Sequence, residues 1–207
     1  MYVDKIFCRD CGEEPQLDGR YSVCPNCGTP LSMGYDYERL GAAIDLNTFV
    51  GRSRTISRYR ELLPSGAGLV SLGEGGTPVI GSEGLEKNYD FELFFKLEFA
   101  NPTGSFKDRG TAVTVSKAQE WSLNTVADDS SGNAGASLAA YAARAGLDCR
   151  IYVPASASGN KISQIRSYGA ELEKVPGPRE KATERIKEDT SDGAVYYASH
   201  NVSPYFS

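Results

Sequence analysis

The run Asn101-Pro102-Thr103-Gly104-Ser105-Phe106-Lys107-Asp108-Arg109-Gly110 joins an apolar, strand-like stretch at 91–99 to a helix-like stretch at 105–121. Asn-Pro and Thr-Gly are typical of turns, and Ser105 with Asp108 three residues later predicts a loose capping box. The pattern places Lys107 in the first turn of a helix, at the carboxyl end of a strand. The positive end of a helix disfavours a lysine cation, and a neutral lysine amine is a nucleophile. From these residues alone, an ordinary exposed lysine remains the alternative.

Beyond this run the sequence alternates between strand-like and helix-like segments. Strands are predicted at 91–99, 124–128, 149–153, 170–175 and 194–198, and helices at 105–121, 134–145, 159–168 and 178–189. Short turns between alternating strands and helices predict βαβ units and a parallel sheet, so the expected fold class is α/β. Upstream, apolar residues interleaved with arginines predict an amphipathic helix that ends near Pro64.

A second polar turn, Ser130-Ser131-Gly132-Asn133-Ala134-Gly135, follows a predicted strand and precedes an alanine-rich helix; we call it the asparagine loop. Backbone N–H groups at a helix start bind anions, serine hydroxyls add donors, and glycine lets a ligand approach the backbone. We therefore expect the loop to bind the carboxylate of an amino acid. The same residue types also make an ordinary α/β turn, and the loop alone does not decide between the two.

Four cysteines near the amino terminus form the pairs Cys8-x2-Cys11 and Cys24-x2-Cys27, separated by twelve residues. This spacing is typical of a zinc ribbon, in which all four positions around the metal are filled and the metal is structural. Two disulfides are the alternative, but no secretion signal is present, which favours zinc. Residues 1–33 carry more acidic than basic side chains, which argues against nucleic-acid binding by the ribbon. Cys149, in a predicted strand, is expected to be a buried packing residue.

The composition is that of a globular protein, with 207 residues, 40% hydrophobic and 24% charged. A net charge of −5 gives no electrostatic basis for binding nucleic acid or an anionic membrane. No apolar run is long enough to span a bilayer, so the expected location is the cytoplasm. His200, the one histidine in the sequence, is interpreted as structural, with a hydrogen bond across a domain boundary.

The run Asn101–Gly110 closely resembles the lysine motif of the fold-type II pyridoxal-phosphate enzymes and, among them, of the threonine synthases. An upstream motif, Leu72-Gly73-Glu74-Gly75-Gly76-Thr77-Pro78, resembles the family's segment before the lysine, and the asparagine loop has its counterpart in the family. Some threonine synthases are also similar at the amino terminus, with a cysteine-rich finger ahead of a stretch like Tyr35-Asp36-Tyr37. The resemblance covers Tyr35 to Phe206, and three motifs in the same order make it specific.

The resemblance implies a fold like that of the tryptophan synthase β-subunit and a site that holds pyridoxal phosphate. Lys107 would bind this cofactor as a Schiff base and act as a general base at the substrate Cα, with Phe106 packed beside the ring. Asn133 would donate a hydrogen bond to the ring oxygen of the cofactor. The substrate carboxylate would lie against Ser130, Ser131, Gly132 and Ala134.

The activity implied is that of a threonine synthase, a lyase that converts O-phospho-homoserine to threonine. Many threonine synthases carry a threonine where this chain has Ala134. A threonine or serine dehydratase, or a cysteate synthase-like enzyme of the same fold, therefore stays open. A non-catalytic fragment is the alternative from a different class.

The resemblance also implies a domain order. It runs from a zinc-ribbon-like module at 1–34, through the first part of a large cofactor domain at 35–122 and a small α/β domain at 123–200, to the return into the large domain at 201–207. Family members are considerably longer, and their remaining half carries a glycine-rich loop for the cofactor phosphate. After Gly135 the glycines of this chain stand singly. We therefore expect the amino-terminal portion of a longer, homodimeric enzyme that binds the cofactor weakly when isolated.

Overall fold

The computed structural model describes residues 1–66, 68–82 and 84–206. The strands and helices, in chain order, are β1 (Val3–Cys8), β2 (Leu31–Tyr35), α1 (Tyr37–Ala43), β3 (Val79–Gly81), β4 (Phe94–Lys96), α2 (Lys107–Glu120), β5 (Thr125–Asp128), α3 (Asn133–Ala145), β6 (Asp148–Pro154), α4 (Asn160–Ser167), β7 (Glu171–Val175), α5 (Arg179–Asp189) and β8 (Tyr196–Tyr197). Short 3-10 helices lie at Leu46–Phe49, Ile56–Leu62, Leu85–Asn88 and Glu98–Ala100. Within these described ranges, no helix has the length and apolar character needed to cross a membrane.

The four strands β5 to β8 form one parallel sheet in the order β7-β6-β5-β8. β5 pairs in parallel with both β6 and β8, and β6 pairs in parallel with β7. Successive strands are connected through α3, α4 and α5. The βαβ units predicted from the alternating sequence are present, and the α/β fold with a parallel sheet is confirmed.

Helices cover both faces of the sheet, as a parallel sheet requires. The larger core joins α2 and α3 to one face and includes the buried residues Ala112, Val115, Val126, Leu138, Tyr141 and Ile151. A smaller core joins α5 to the other face and consists of Ala127, Tyr152, Ala182, Ile186 and Tyr197. Cys149 is buried within the larger core, as predicted. The cores fix the carboxyl edge of the sheet, from which the asparagine loop emerges.

The strand predicted at 91–99 differs from the structure. Only β4 forms there, and it pairs antiparallel with β3, outside the parallel sheet. Phe94 and Phe95 are 59% and 41% exposed, so the described part of the chain does not bury these apolar side chains. An apolar run indicates a strand, but its length and its partner depend on contacts that the run does not encode.

The amphipathic helix predicted before Pro64 is also wrong, because this segment forms a 3-10 helix with a kink at Tyr59. Arg52 donates a hydrogen bond of 2.8 Å to the carbonyl oxygen of Arg58 and makes a bidentate pair with Glu61 at 2.7 and 2.9 Å. The segment therefore folds back around Arg52, which the amphipathic pattern predicts to be exposed to solvent.

Candidate functional site

Lys107 is the first residue of α2, as the turn signals predict. The expected capping box is not formed, because the N-cap of α2 is Phe106 and no side chain caps it. The hydroxyl of Ser105 accepts a hydrogen bond of 3.3 Å from the N–H of Lys107, whereas Asp108 turns away and accepts one of 2.8 Å from the N–H of Thr103. Asp108 is fully buried, so its carboxylate belongs to the interior of the site and does not cap the helix.

Two aromatic rings flank the half-buried side chain of Lys107. The Nζ atom lies 4.7 Å from the ring centroid of Phe106 and 5.4 Å from that of Phe206. Sequence reasoning assigned Phe106 to the cofactor ring and missed Phe206, which is 99 residues further along the chain. A Cβ atom at Gly110 would overlap the carbonyl oxygen of Phe206, so this close approach requires a residue without a side chain at position 110.

A charged network joins the lysine turn to the upstream motif. Arg109 makes a bidentate pair with Glu98 at 2.7 and 2.8 Å, and the hydroxyl of Thr77 donates to the same carboxylate at 2.7 Å. The side chain of Asn101 donates to Glu98 at 3.1 Å and accepts a hydrogen bond of 3.0 Å from the N–H of Gly75. The Arg109 guanidinium lowers the pKa of Glu98 to about 2, so the pair stays charged near neutral pH.

α3 joins the asparagine loop to the other two motifs. The hydroxyl of Ser137 donates a hydrogen bond of 2.6 Å to Oδ1 of Asp108, and the hydroxyl of Tyr141 donates one of 2.7 Å to Oε2 of the buried Glu74. Burial raises the pKa of Tyr141, which keeps this phenol a donor. Ser137 and Tyr141, which follow the asparagine loop in α3, therefore link that helix to the lysine motif and to the upstream motif through buried polar groups.

The asparagine loop leads into α3, whose start has no side-chain cap. Gly132 is the N-cap and has no side chain to bind the first N–H groups of the helix, which lack acceptors within it. Ser130 and Ala134 are buried, whereas Ser131 and Asn133 are exposed. Asn133 precedes Ser137 by one helical turn and so lies on the face of α3 that meets Asp108. The starts of α2 and α3 thus open toward the same edge.

Two carboxylates at the end of β5 were also missed by sequence reasoning. Asp129 accepts hydrogen bonds from the hydroxyls of Tyr197, at 3.0 Å, and Thr183. Oδ2 of Asp128 lies 3.8 Å from Nδ1 of His200, which is too long for a hydrogen bond. Nδ1 of His200 has no hydrogen-bond partner among the described residues, so that atom does not make the hydrogen bond predicted for His200. Two aspartates directly after an apolar strand were the available signal.

The four amino-terminal cysteines come together in one cluster. Their Sγ atoms all lie within 4.8 Å of one another, with Cys8 and Cys27 at 3.4 Å and Cys11 and Cys24 at 3.6 Å. Four thiolates around a tetrahedral zinc ion, each about 2.3 Å from the metal, would be about 3.8 Å apart. The cluster therefore has dimensions that suit a metal ion.

Two equivalent turns build this cluster. The N–H of Gly12 bonds to the carbonyl oxygen of Cys8, and the N–H of Gly28 bonds to that of Cys24. Both glycines have φ of +75°, a conformation that side chains disfavour. The hydroxyl of Thr29 lies 3.1 Å from Sγ of Cys8 and is placed to donate a hydrogen bond to that sulfur as a thiolate, the form that a metal needs.

A family model described as pyridoxal-phosphate dependent enzyme matches residues 70–207, a range that includes all three motifs joined by the buried network. The chain belongs to this family. Its members use pyridoxal phosphate, and the resemblance first seen in the lysine motif is confirmed at the level of the family.

Among curated proteins, the chain is similar to threonine synthases. The chain is 37% identical to the threonine synthase of Methanocaldococcus jannaschii, over 96% of its own length and 49% of that protein. It is 34% identical to the threonine synthase of Methanosarcina acetivorans, over 97% of its own length and again 49% of the relative. The chain thus spans about half the length of these relatives, and the similarity to threonine synthases is confirmed over that half.

Two solved structures share the fold over about 60% of this chain. A pyridoxal 5'-phosphate-dependent aspartate racemase superposes with a TM-score of 0.58 at 31% identity, covering 63% of this chain and 41% of that one. A cysteine synthase from Entamoeba histolytica gives a TM-score of 0.56 at 26% identity, covering 60% of this chain and 40% of that one. These enzymes act on different amino acids, so the fold does not select the substrate.

Proposed function

We propose that this chain supplies the cofactor-binding lysine and the substrate-binding loop of a threonine synthase, an enzyme that converts O-phospho-homoserine to threonine. The observation that carries the proposal is the similarity to archaeal threonine synthases over nearly the whole chain. The buried network supports it, because it holds Lys107 and the asparagine loop at one edge.

The residues present suit pyridoxal phosphate. Lys107 offers a half-buried amine beside two aromatic rings, and the start of α3 offers uncapped N–H groups. The exposed amide of Asn133 is available to donate a hydrogen bond to the cofactor's ring oxygen. When bound, the cofactor would withdraw electrons from the substrate Cα.

The protein's own groups would bind the substrate and move its protons. We assign the substrate carboxylate to the hydroxyls of Ser130 and Ser131 and to the backbone at Gly132 and Ala134, because N–H groups at a helix start bind anions. Lys107 would hold the cofactor covalently, and its free amine would take the proton from the substrate Cα as a general base. Phe106 would pack beside the cofactor ring and limit its contact with water.

An assay of the intact enzyme with three substrate sets tests the assignment. O-phospho-homoserine should give threonine and inorganic phosphate. Cysteate formed from O-phosphoserine and sulfite, or an oxo acid formed from threonine or serine, would instead indicate one of the related enzymes. Enzyme that forms none of these products while it carries pyridoxal phosphate on Lys107 would contradict the assigned reaction.

The four cysteines have a separate role in this proposal. Cys8, Cys11, Cys24 and Cys27 would hold one structural zinc ion and make residues 1–34 a zinc ribbon. The support is the distance between their sulfurs and the two matching turns. The division at 34, 122 and 200, a fold like that of the tryptophan synthase β-subunit and a homodimeric enzyme are likewise proposals, and they rest on the family resemblance.

A further inference from the structure

The strand order of the parallel sheet creates a crevice beside the asparagine loop. From β5 the chain continues to β6 on one side, whereas β8 pairs on the other side. Chains that leave the carboxyl ends of two such strands diverge, and the crevice between them is where open α/β sheets bind ligands. Asp128 ends β5, and His200 lies three residues beyond β8. Both therefore stand at the entrance to the site that the proposed function assigns.

Asp128 and His200 each bury one polar atom that has no partner in the described part of the chain. These atoms are Oδ1 of Asp128 and Nδ1 of His200, and their side chains are 1% and 15% exposed. The carboxylate of Asp129, next in the chain, is bound by two hydroxyls. Burial raises the pKa of Asp128, and the negative charge of Asp129 adds to this rise. A buried carboxylate is costly unless a cation or a donor faces it, and the imidazole of His200 is in place to do so.

The imidazole in turn contacts the ring beside the lysine. His200 and Phe206 meet edge to face, with centroids 5.9 Å apart and an interplanar angle of 66°. The face of Phe206 lies 5.4 Å from Nζ of Lys107, and its backbone packs on Gly110. A continuous path of contacts therefore runs from the end of β5 to the lysine amine.

We propose that Asp128 and His200 are positioning residues for the amine of Lys107. The carboxylate of Asp128 faces the imidazole at 3.8 Å, within ion-pair distance of a protonated imidazole, and the imidazole packs against the ring of Phe206 and holds it against the lysine side chain. The inference rests on the proposed role of Lys107 as the cofactor lysine. It adds two residues that touch neither the cofactor nor the substrate but decide how the amine is presented.

A double-mutant cycle with His200→Gln and Phe206→Leu tests the path. The chain is treated with a low concentration of pyridoxal phosphate, reduced with borohydride, and mapped by mass spectrometry for labelling of Lys107 relative to the exposed Lys174. A cation–π contact is worth about 0.5–1 kcal/mol or more, so each single variant should change this ratio about two- to fivefold. Because both substitutions act on the same contact, the double variant should change the Lys107-to-Lys174 labelling ratio no more than the more effective single variant does.

Two further measurements separate the inference from the proposed function. In the NMR spectrum, the ε-methylene protons of Lys107 sense the Phe206 ring and should shift in His200→Gln, whether or not cofactor binds. Asp128→Asn, which keeps the side-chain volume, should shift them too and carries the test if His200→Gln does not fold. Tyr205→Phe removes a hydroxyl that has no hydrogen-bond partner in the described chain and should change neither readout.

The outcomes are distinct. The positioning role would be overturned if the effects of His200→Gln and Phe206→Leu multiply in the double variant. It would also be overturned if His200→Gln and Asp128→Asn both leave the labelling ratio and the Lys107 spectrum unchanged. Wild-type Lys107 that is labelled no more than Lys174 would instead overturn the proposed function. The NMR shifts would still decide whether His200 and Asp128 position the amine.

Discussion

The asparagine loop leaves no room for a side chain at Gly135. A Cβ atom there would overlap the carbonyl oxygen of Ser130 and would lie 3.3 Å from Cγ2 of Ile151. Backbone atoms cannot move aside as the end of a flexible side chain can. An alanine at this position must therefore displace the loop or the strand behind it.

We expect Gly135→Ala to lower the free energy of unfolding by about 1–3 kcal/mol, the usual cost of overpacking. Denaturant unfolding followed by circular dichroism measures it. Gly41→Ala is the matched control, because Gly41 lies in α1 with open space where a Cβ atom would stand. That change should be neutral or stabilise the protein by up to about 1 kcal/mol. Equal effects of the two substitutions would show that the contact with Ser130 has no energetic weight.

The Glu98–Arg109 pair should make stability depend on pH in the acid range. Arg109 lowers the pKa of Glu98 from an ordinary 4.5 to about 2, so the folded state binds this proton less readily than the unfolded state. The stabilisation is complete above pH 4.5 and is lost as the pH falls toward 2.

Glu98→Gln should lower the free energy of unfolding by about 1–3 kcal/mol at pH 7 and flatten the loss of stability between pH 5 and pH 2. Thermal unfolding across this range measures it. The exposed Glu38→Gln on α1 should leave the profile intact, and an unchanged profile in Glu98→Gln would contradict the prediction.

The lysine was predictable at the level of residues, whereas its partners were not. Lys107 follows a turn and opens a helix, and those signals are contiguous in the chain. Asp108 and Ser137 are 29 positions apart, and Phe206 lies further away still. A single sequence has no local pattern for such contacts, so they appear only when the fold brings α2, α3 and the chain after β8 together.

At the level of elements, the amino-terminal hairpin depends on its cysteines. β1 and β2 form a two-stranded sheet, and the two turns between them end in thiols. An isolated two-stranded hairpin is marginally stable in water. A bound zinc ion would therefore contribute much of the stability of this part of the chain.

We expect about one equivalent of zinc in the purified protein, bound by the four clustered cysteines. Removal with a strong chelator should abolish protection from hydrogen exchange in β1 and β2 and leave the parallel sheet protected. Cys8→Ser should have the same effect, whereas Cys149→Ala should keep the metal, because Cys149 is buried in the core of the sheet. Purified protein that is free of metal and keeps the hairpin protected would contradict the zinc proposal.

The regular elements of the parallel sheet were predictable because periodicity and burial agree there. α2 to α5 and the strands between them follow the predicted order, with ends shifted by a few residues. The short length and antiparallel partner of β4, and the 3-10 helix at Ile56–Leu62, were not predictable. β4 is an apolar run with exposed side chains, and the 3-10 helix folds around Arg52. In both cases tertiary contacts outweigh the local pattern.

On the scale of the whole molecule, three distant motifs meet around one edge of the fold. The upstream motif contributes Glu74 and Thr77, the lysine turn contributes Asp108 and Arg109, and α3 contributes Ser137 and Tyr141. A buried network of this kind is favourable only when every member is satisfied. It therefore fixes the starts of α2 and α3 relative to each other, which is the geometry that the proposed site requires.

Covalent attachment of pyridoxal phosphate is the most direct test of this site. The intact enzyme should show cofactor absorbance that borohydride fixes to a single lysine, and peptide mapping should identify that lysine as Lys107. Lys107→Ala should lose the attachment and reduce turnover by several orders of magnitude, because the same amine binds the cofactor and moves the proton. Attachment at a different lysine, or turnover of Lys107→Ala close to that of the wild type, would contradict the assignment of the site.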